Sequence, residues 1–137
     1  MEHAVKPDNR VSIRIEGNGV AQVRLIRSDK MNALDPDMFA AILDAGRVLY
    51  DLPGLRCVVL AGEGRSFCAG LDLTSMAQTN RHDRVPLTER THGSANHAQQ
   101  VAMQWRRLPV PVIAAVHGVC FGGGLQIASG ADIRVVD

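Results

Sequence analysis

Two short, nearly continuous apolar runs constrain this chain most: Leu55–Leu60 (LRCVVL) and Val112–Val116 (VIAAV). Runs of this length, rich in valine, suit strands buried on both faces, which is the setting of a parallel sheet. Parallel neighbours need a crossover, and helical patterns stand ready to supply it. Asp35-Pro36 reads as a helix start, with Asp as the cap and Pro at the first helical position. Met38, Ile42, Ala45 and Leu49 then form one apolar stripe on a helix running to about Asp51, before Pro53-Gly54. A second stripe, Ala98, Val101, Trp105 and Leu108, is ended by Pro109 and Pro111. Strand, helix and strand in this order imply a right-handed crossover and an α/β fold.

Upstream, Val11, Ile13 and Ile15 alternate with polar residues, as do Ala21, Val23 and Leu25. Gly17-Asn18-Gly19 lies between them, so the two segments are expected to pair as an antiparallel hairpin. Residues 1–10 read as a flexible leader, and residues 11–137 as one structural unit. Arg27–Leu34 has no period and reads as a loop. Asp72 is placed to cap a short helix starting near Leu73, and residues 77–93 read as a mobile loop or surface helix. After a glycine-rich turn, His117–Gly124, a helical stretch Leu125–Ser129 stops at Gly130. Ile133, Val135 and Val136 then begin another strand. The chain ends inside that apolar strand, from which a fragment is expected.

Lys plus Arg number 15 and Asp plus Glu 14 in 137 residues. This balance argues against a general nucleic-acid binder or a polybasic membrane-surface protein. No apolar run reaches bilayer length, and the polar N-terminus carries no signal-peptide stretch, so a cytoplasmic location is the default. Cys57, Cys68 and Cys120 form no CxxC pair and read as free thiols. The histidines show no zinc spacing.

Two turns that each follow a buried strand and lead into a helix are dense in glycine: Ala61–Asp72 and His117–Gly124. Turn geometry alone explains one such segment; two in equivalent positions point to exposed backbone N–H groups. Gly62-Glu63-Gly64-Arg65-Ser66-Phe67 opens like a dinucleotide fingerprint but has Phe67 in place of the third glycine. GxxxxGK[ST] and GxSxG are absent. What remains is an oxyanion hole, in which one N–H from each turn grips a carbonyl oxygen that becomes negative. Cys68, near a helix start, is an alternative nucleophile, though no histidine is placed beside it. His117 reads as a packing or capping residue rather than an acid–base group.

Ser66–Leu73 (SFCAGLDL) and His117–Leu125 (HGVCFGGGL) resemble the two signature segments of the crotonase superfamily, the enoyl-CoA hydratase/isomerase group. Arg27–Leu34 resembles its CoA-contacting loop, and Ala131-Asp132-Ile133-Arg134 the strand start after the second turn. The resemblance runs in order from about Val11 to Asp137. It implies a spiral of ββα units, here without the C-terminal ones, that binds acyl-CoA or enoyl-CoA thioesters and stabilises an enolate. Coenzyme A enters as part of the substrate, no cofactor is held permanently, and chains of the family assemble as trimers or pairs of trimers. Carried over, the oxyanion donors are the backbone amides of Leu71 and Gly123. Lys30, Ala33 and Leu34 line the CoA nucleotide, with Ala69 and Asp72 near the pantetheine; for Asp72 a plain helix cap is an equal reading. Gln126 stands where hydratases of the family carry a glutamate that handles water, and glutamine cannot exchange a proton near neutral pH. Double-bond isomerisation, which works with one carboxylate, therefore fits an intact parent as well as hydration or better. The alternative is a non-catalytic acyl-CoA-binding or oligomerising remnant.

Overall fold

The computed structural model describes residues 10–137, so residues 1–9 of the expected leader lie outside it. Strands β1 (Val11–Ile15) and β2 (Val20–Leu25) form the expected hairpin, with Val11 opposite Leu25 and Ile13 opposite Val23. The chain then makes a 3₁₀ turn at Ser28–Lys30 and enters helix α1 (Pro36–Tyr50). Strand β3 (Cys57–Gly62) runs parallel to β2, so α1 is a crossover between parallel neighbours. β3 starts two residues later than the apolar run, because Leu55 and Arg56 complete the turn after Pro53-Gly54; the Arg56 amide donates to Gly19 O. Helix α2 (Leu73–Gln78) is short and is followed by a 3₁₀ turn at Arg81–Asp83, so the segment read as loop or surface helix is mostly turns. Helix α3 (His97–Arg107) leads to strand β5 (Val112–Val116), parallel to β3. Helix α4 (Gly123–Ser129) leads to strand β7 (Ile133–Val136), parallel to β5. The main sheet has the order β1-β2-β3-β5-β7.

Two further strands sit inside the glycine turns. β4 (Ser66–Cys68) and β6 (Val119–Cys120) pair in parallel as a separate sheet. The sequence reading placed both segments in turns, because strands of two and three residues carry no period to detect.

The helices explain the burial. Asp35 caps α1 by accepting from the Met38 amide at 2.8 Å, and Pro36 occupies the first turn without losing a bond. Met38, Ile42, Ala45 and Leu49 are all buried, joined by Val101 and Trp105 from α3, by Leu108 at its C-cap, and by Val58, Leu60, Val112 and Ala114 from the sheet. Ala98 departs from its stripe and is half-buried. β3 and β5 depart from the expected burial on both faces. One face of each is closed, whereas Val59, Ala61, Ile113 and Ala115 on the other are only half-buried, because the helical side chains join the core on one side.

α1 and α3 approach closely at Gly46. A Cβ there would lie 2.5 Å from Gln104 Cδ and 2.9 Å from its Nε2. Gln104 cannot yield freely, since its Nε2 donates to Ile42 O at 2.7 Å in a buried setting. Gly46→Ala would gain about 1 kcal/mol of helix propensity, against about 1–3 kcal/mol for overpacking and the displaced hydrogen bond. We expect a net loss of about 1–2 kcal/mol by urea unfolding, which the added substitution Gln104→Ala should make smaller; a more stable Gly46→Ala protein would contradict this packing account.

Candidate functional site

Asn32 organises the approach to the site. It has left-handed backbone (φ 56°), as does Met31 (φ 51°), and its side chain is buried. Asn tolerates this conformation better than most residues. Its Nδ2 donates to three carbonyls, Glu63 O (3.0 Å), Ser66 O (2.9 Å) and Phe67 O (3.2 Å). The loop before α1 is thereby tied to β4. The Ala69 amide donates to Met31 O, the Leu34 amide to Gly70 O (2.7 Å), and the Asp72 amide to Leu34 O (3.0 Å). Leu34 and Leu71 thus form a parallel bridge outside the named strands.

The two glycine turns meet at contact distance. Phe67 N donates to His117 O and Phe121 N to Cys68 O. Gly70 has φ 90°, and a Cβ on it would lie 2.8 Å from Phe121 O and 3.6 Å from Gly123 N. A Cβ on Gly124 would overlap the Cys68 carbonyl and lie 2.8 Å from Cys68 Cβ. Only glycine permits this approach. Helix α4 begins two residues earlier than the sequence pattern indicates, which makes Gly123 its first residue.

A cleft of about 480 Å³ opens beside this junction. Leu34, Ala69, Leu71, Gly123 and Gln126 all line it, together with Phe39, Gly70, Leu73, Ala98, Val101, Phe121 and Gly122. Neither the Leu71 amide nor the Gly123 amide has an acceptor among the described residues. None of the lining residues is acidic or basic. Gln126 is exposed. Lys30, Ala33 and Asp72 do not line the cleft. Lys30 is exposed at the end of the 3₁₀ turn, and Ala33 is half-buried with its carbonyl accepting from Arg27 Nη1 at 3.1 Å.

Asp72 caps α2, its Oδ1 accepting from the Ser75 amide at 3.1 Å and its Oδ2 from Arg27 Nη1 at 2.8 Å. The Ser75 amide and then Arg27, working against some desolvation, hold its carboxyl below the ordinary carboxylate value. Arg27 Nη2 also lies 3.4 Å from Asp35 Oδ2, which Arg10 Nη2 meets at 2.7 Å. Burial pushes the Asp35 carboxyl up. The Arg10 hydrogen bond, the Met38 amide and the charges of Arg27 and Arg10 outweigh it, so its pKa lies below the ordinary value. Sequence reasoning missed Arg27 and Asn32 as organisers of the site; their partners are distant in sequence, and no local pattern signals them.

The catalytic-thiol alternative fails on electrostatics. Burial pushes the Cys68 thiol up to about 11, the Gly70 amide offsetting it in part and Cys120 adding to it. Its Sγ–H donates to Asn32 O at 3.1 Å. A thiolate near a helix start was the basis for that alternative, and full burial reverses the expected shift. His117 Nε2 meets Gly64 O at 2.6 Å, the packing role expected of it.

Residues 15–137 match the family model described as enoyl-CoA hydratase/isomerase. The chain is 36% identical over 117 residues to the Mycobacterium leprae protein named "Probable enoyl-CoA hydratase echA12", covering 85% of this chain and 40% of that one. It is 32% identical over 113 residues to the peroxisomal Delta(3,5)-Delta(2,4)-dienoyl-CoA isomerase of Arabidopsis thaliana, covering 79% and 41%. The crystal structure of an enoyl-CoA hydratase from Shewanella pealeana ATCC 700345 superposes with a TM-score of 0.79 at 28% identity, over 95% of this chain and 47% of that one. The chain thus spans less than half the length of these relatives.

Both depressed carboxylates make stability depend on acid. A folded-state pKa below the unfolded value contributes stability that is fully present above the unfolded value, about 4, and is lost as pH falls through the folded one. We expect the thermal midpoint to hold from about pH 7 to 5 and to drop steeply toward about pH 3. Asp35→Asn keeps a capping oxygen but removes the charge. It should lower the midpoint near neutrality and shallow the acid limb; parallel acid limbs in the two proteins would show that the Asp35 ion pairs contribute nothing.

Proposed function

The chain belongs to the enoyl-CoA hydratase/isomerase family and has the crotonase-type α/β fold, and on that premise we propose that its cleft takes the thioester end of an acyl-CoA and stabilises an enolate. The observation that carries this reading is the pair of unpartnered amides, Leu71 N–H and Gly123 N–H, lining one apolar cleft. A thioester oxygen held between them gains negative charge when a proton leaves the α-carbon. Fixed N–H dipoles beside an apolar wall favour that charge without reorganising.

Leu34 and Ala69 form the adjoining wall. Lys30 and Ala33 sit on the loop proposed to meet the CoA nucleotide, where the exposed Lys30 ammonium suits a phosphate. Asp72 stands behind the Leu71 amide and orders the turn the pantetheine would pass. Gln126 offers one carbonyl oxygen and one amide group to hold a water or the substrate, and no proton exchange. With no acidic or basic side chain lining the cleft, the proton carrier comes from outside these residues. A single carboxylate delivered to the α- and γ-carbons in turn suffices for isomerisation, whereas hydration needs a second group to activate water. Enolate stabilisation is therefore the assigned role, with isomerisation favoured over hydration.

Among the described residues no helix is long and apolar enough to cross a membrane. Assembly in trimers or pairs of trimers, as the resemblance implies, belongs to the same proposal.

The test compares two substitutions at Gly123. A Cβ there would press on Leu34 Cδ1 at 2.6 Å, the end of a flexible side chain, so Gly123→Ala controls for bulk while keeping the N–H. Gly123→Pro removes it at a first-turn position that tolerates proline. With the fold retained by circular dichroism, Gly123→Pro should weaken an enolate-like CoA analogue by about 10²-fold or more relative to Gly123→Ala. A saturated acyl-CoA should change far less. Equal loss for both ligands would sink the oxyanion assignment, and an unsubstituted protein that binds the enolate-like analogue no more tightly than the saturated acyl-CoA would favour a binding-only role.

A further inference from the structure

We propose that Arg27 is a positioning residue that fixes the Leu71 amide for the oxyanion, an inference that rests on the enolate reading above. Leu71 is nearly half exposed and belongs to no named helix or strand. Its own side chain cannot anchor its peptide. The flanking hydrogen bonds, Leu34 N to Gly70 O and Asp72 N to Leu34 O, both depend on where Leu34 lies. The aim of the Leu71 N–H therefore follows from how firmly segment 33–34 is held against segment 70–72.

Arg27 spans that seam. Its Nη1 donates to Ala33 O at 3.1 Å on one side and to Asp72 Oδ2 at 2.8 Å on the other. Its Nη2 approaches Asp35 Oδ2 at 3.4 Å, where α1 is capped. The side chain is 11% exposed, as is that of Asp72, so these contacts are largely shielded from the solvent that weakens surface pairs. One planar guanidinium thus holds a backbone carbonyl and two carboxylates together. A lysine ammonium is a point charge on a flexible stem and does not present the same fork.

Arg27 does not line the cleft. Its loss should leave the apolar grip on a saturated acyl chain largely intact while letting the amide wander. Misplacement of a preorganised group by about 1 Å can cost about 10²-fold in the reacting complex. This selectivity separates positioning from general support of the fold, which would weaken all ligands alike.

The experiment uses the 137-residue chain and two probes. Butyryl-CoA reports ground-state binding. Acetoacetyl-CoA reports enolate stabilisation, through its affinity and through the near-ultraviolet absorbance of its enolate. In Arg27→Gln the preference for acetoacetyl-CoA over butyryl-CoA should fall by about 10-fold or more and the enolate band should weaken, while any loss through the loop that carries Ala33 is common to both CoA esters and cancels in the preference. Arg27→Lys should fall between Arg27→Gln and the unsubstituted protein. If Arg27→Gln does not fold, Arg27→Lys carries the test, with a loss of about 3-fold in preference expected. A preference retained in the folded variants, or equal loss for both ligands, overturns the proposal alone. If the unsubstituted protein shows neither preference nor enolate band, the oxyanion reading itself falls, and this proposal with it.

Discussion

Backbone meeting backbone where the two glycine turns cross is the constraint on which the rest of the site depends. β4 and β6 pair there, Phe67 N reaches His117 O, and Phe121 N reaches Cys68 O. A side chain at Gly70 or Gly124 would push the turns apart. The same crowding explains which amides stay free. Around the first turn, Ala69 N is spent on Met31 O and Asp72 N on Leu34 O. Around the second, Gly124 N and Leu125 N are both spent on Phe121 O. Leu71 N and Gly123 N are left without an acceptor among the described residues. Leaving a polar group without a partner is costly when it is buried, but both residues line an open cleft, and Leu71 is nearly half exposed.

The loop before α1 is the second support, and it works through Asn32 and Arg27 rather than through packing. Asn32 uses Nδ2 on the Glu63 carbonyl of the β3–β4 connection and on the Ser66 and Phe67 carbonyls of β4. Its main-chain oxygen takes the Cys68 Sγ–H. Arg27 reaches from the same loop to the caps of α1 and α2. Both residues convert a segment without regular structure into a fixed strap. The cost is a left-handed asparagine, of order 1 kcal/mol, and a buried Oδ1 for which no partner is found among the described residues; the three Nδ2 contacts work against both.

Much of this fold was legible in the sequence wherever the cause is local. The caps at Asp35 and Asp72, the stripe Met38–Leu49 and the antiparallel hairpin all follow from spacing that a single segment carries. The paired strands β4 and β6 were not legible, because their reason for being strands lies in each other. Nor was the tie between Arg27 and Asp72, which spans 45 residues. Cys68 shows the same limit from the electrostatic side. Proximity to a helix start suggested a stabilised thiolate, while the burial that decides its state is a tertiary property. Within the candidate site, Leu71, Gly123 and Gln126 were placed together by their resemblance to known signature segments, whereas Leu34 and Ala69, expected at the CoA nucleotide and the pantetheine, line the same cleft as those three. Lys30, Ala33 and Asp72 stand apart from it.

The charges near the site are kept behind it. Arg10, Arg27, Asp35 and Asp72 compensate one another along the caps of α1 and α2, and the cleft wall itself is left apolar with Gln126 as its polar side chain. An apolar wall strengthens the two amide dipoles, since little else screens them. It would also penalise any carboxylate brought in to exchange protons, raising its pKa toward neutrality. A carboxylate so perturbed is well matched to removing a proton from carbon and returning it to a neighbouring carbon near neutral pH. On the proposed reading, the wall that would polarise a thioester and the group that would move the proton need not share a chain segment: the first would supply a fixed field, and the second would be tuned by entering it.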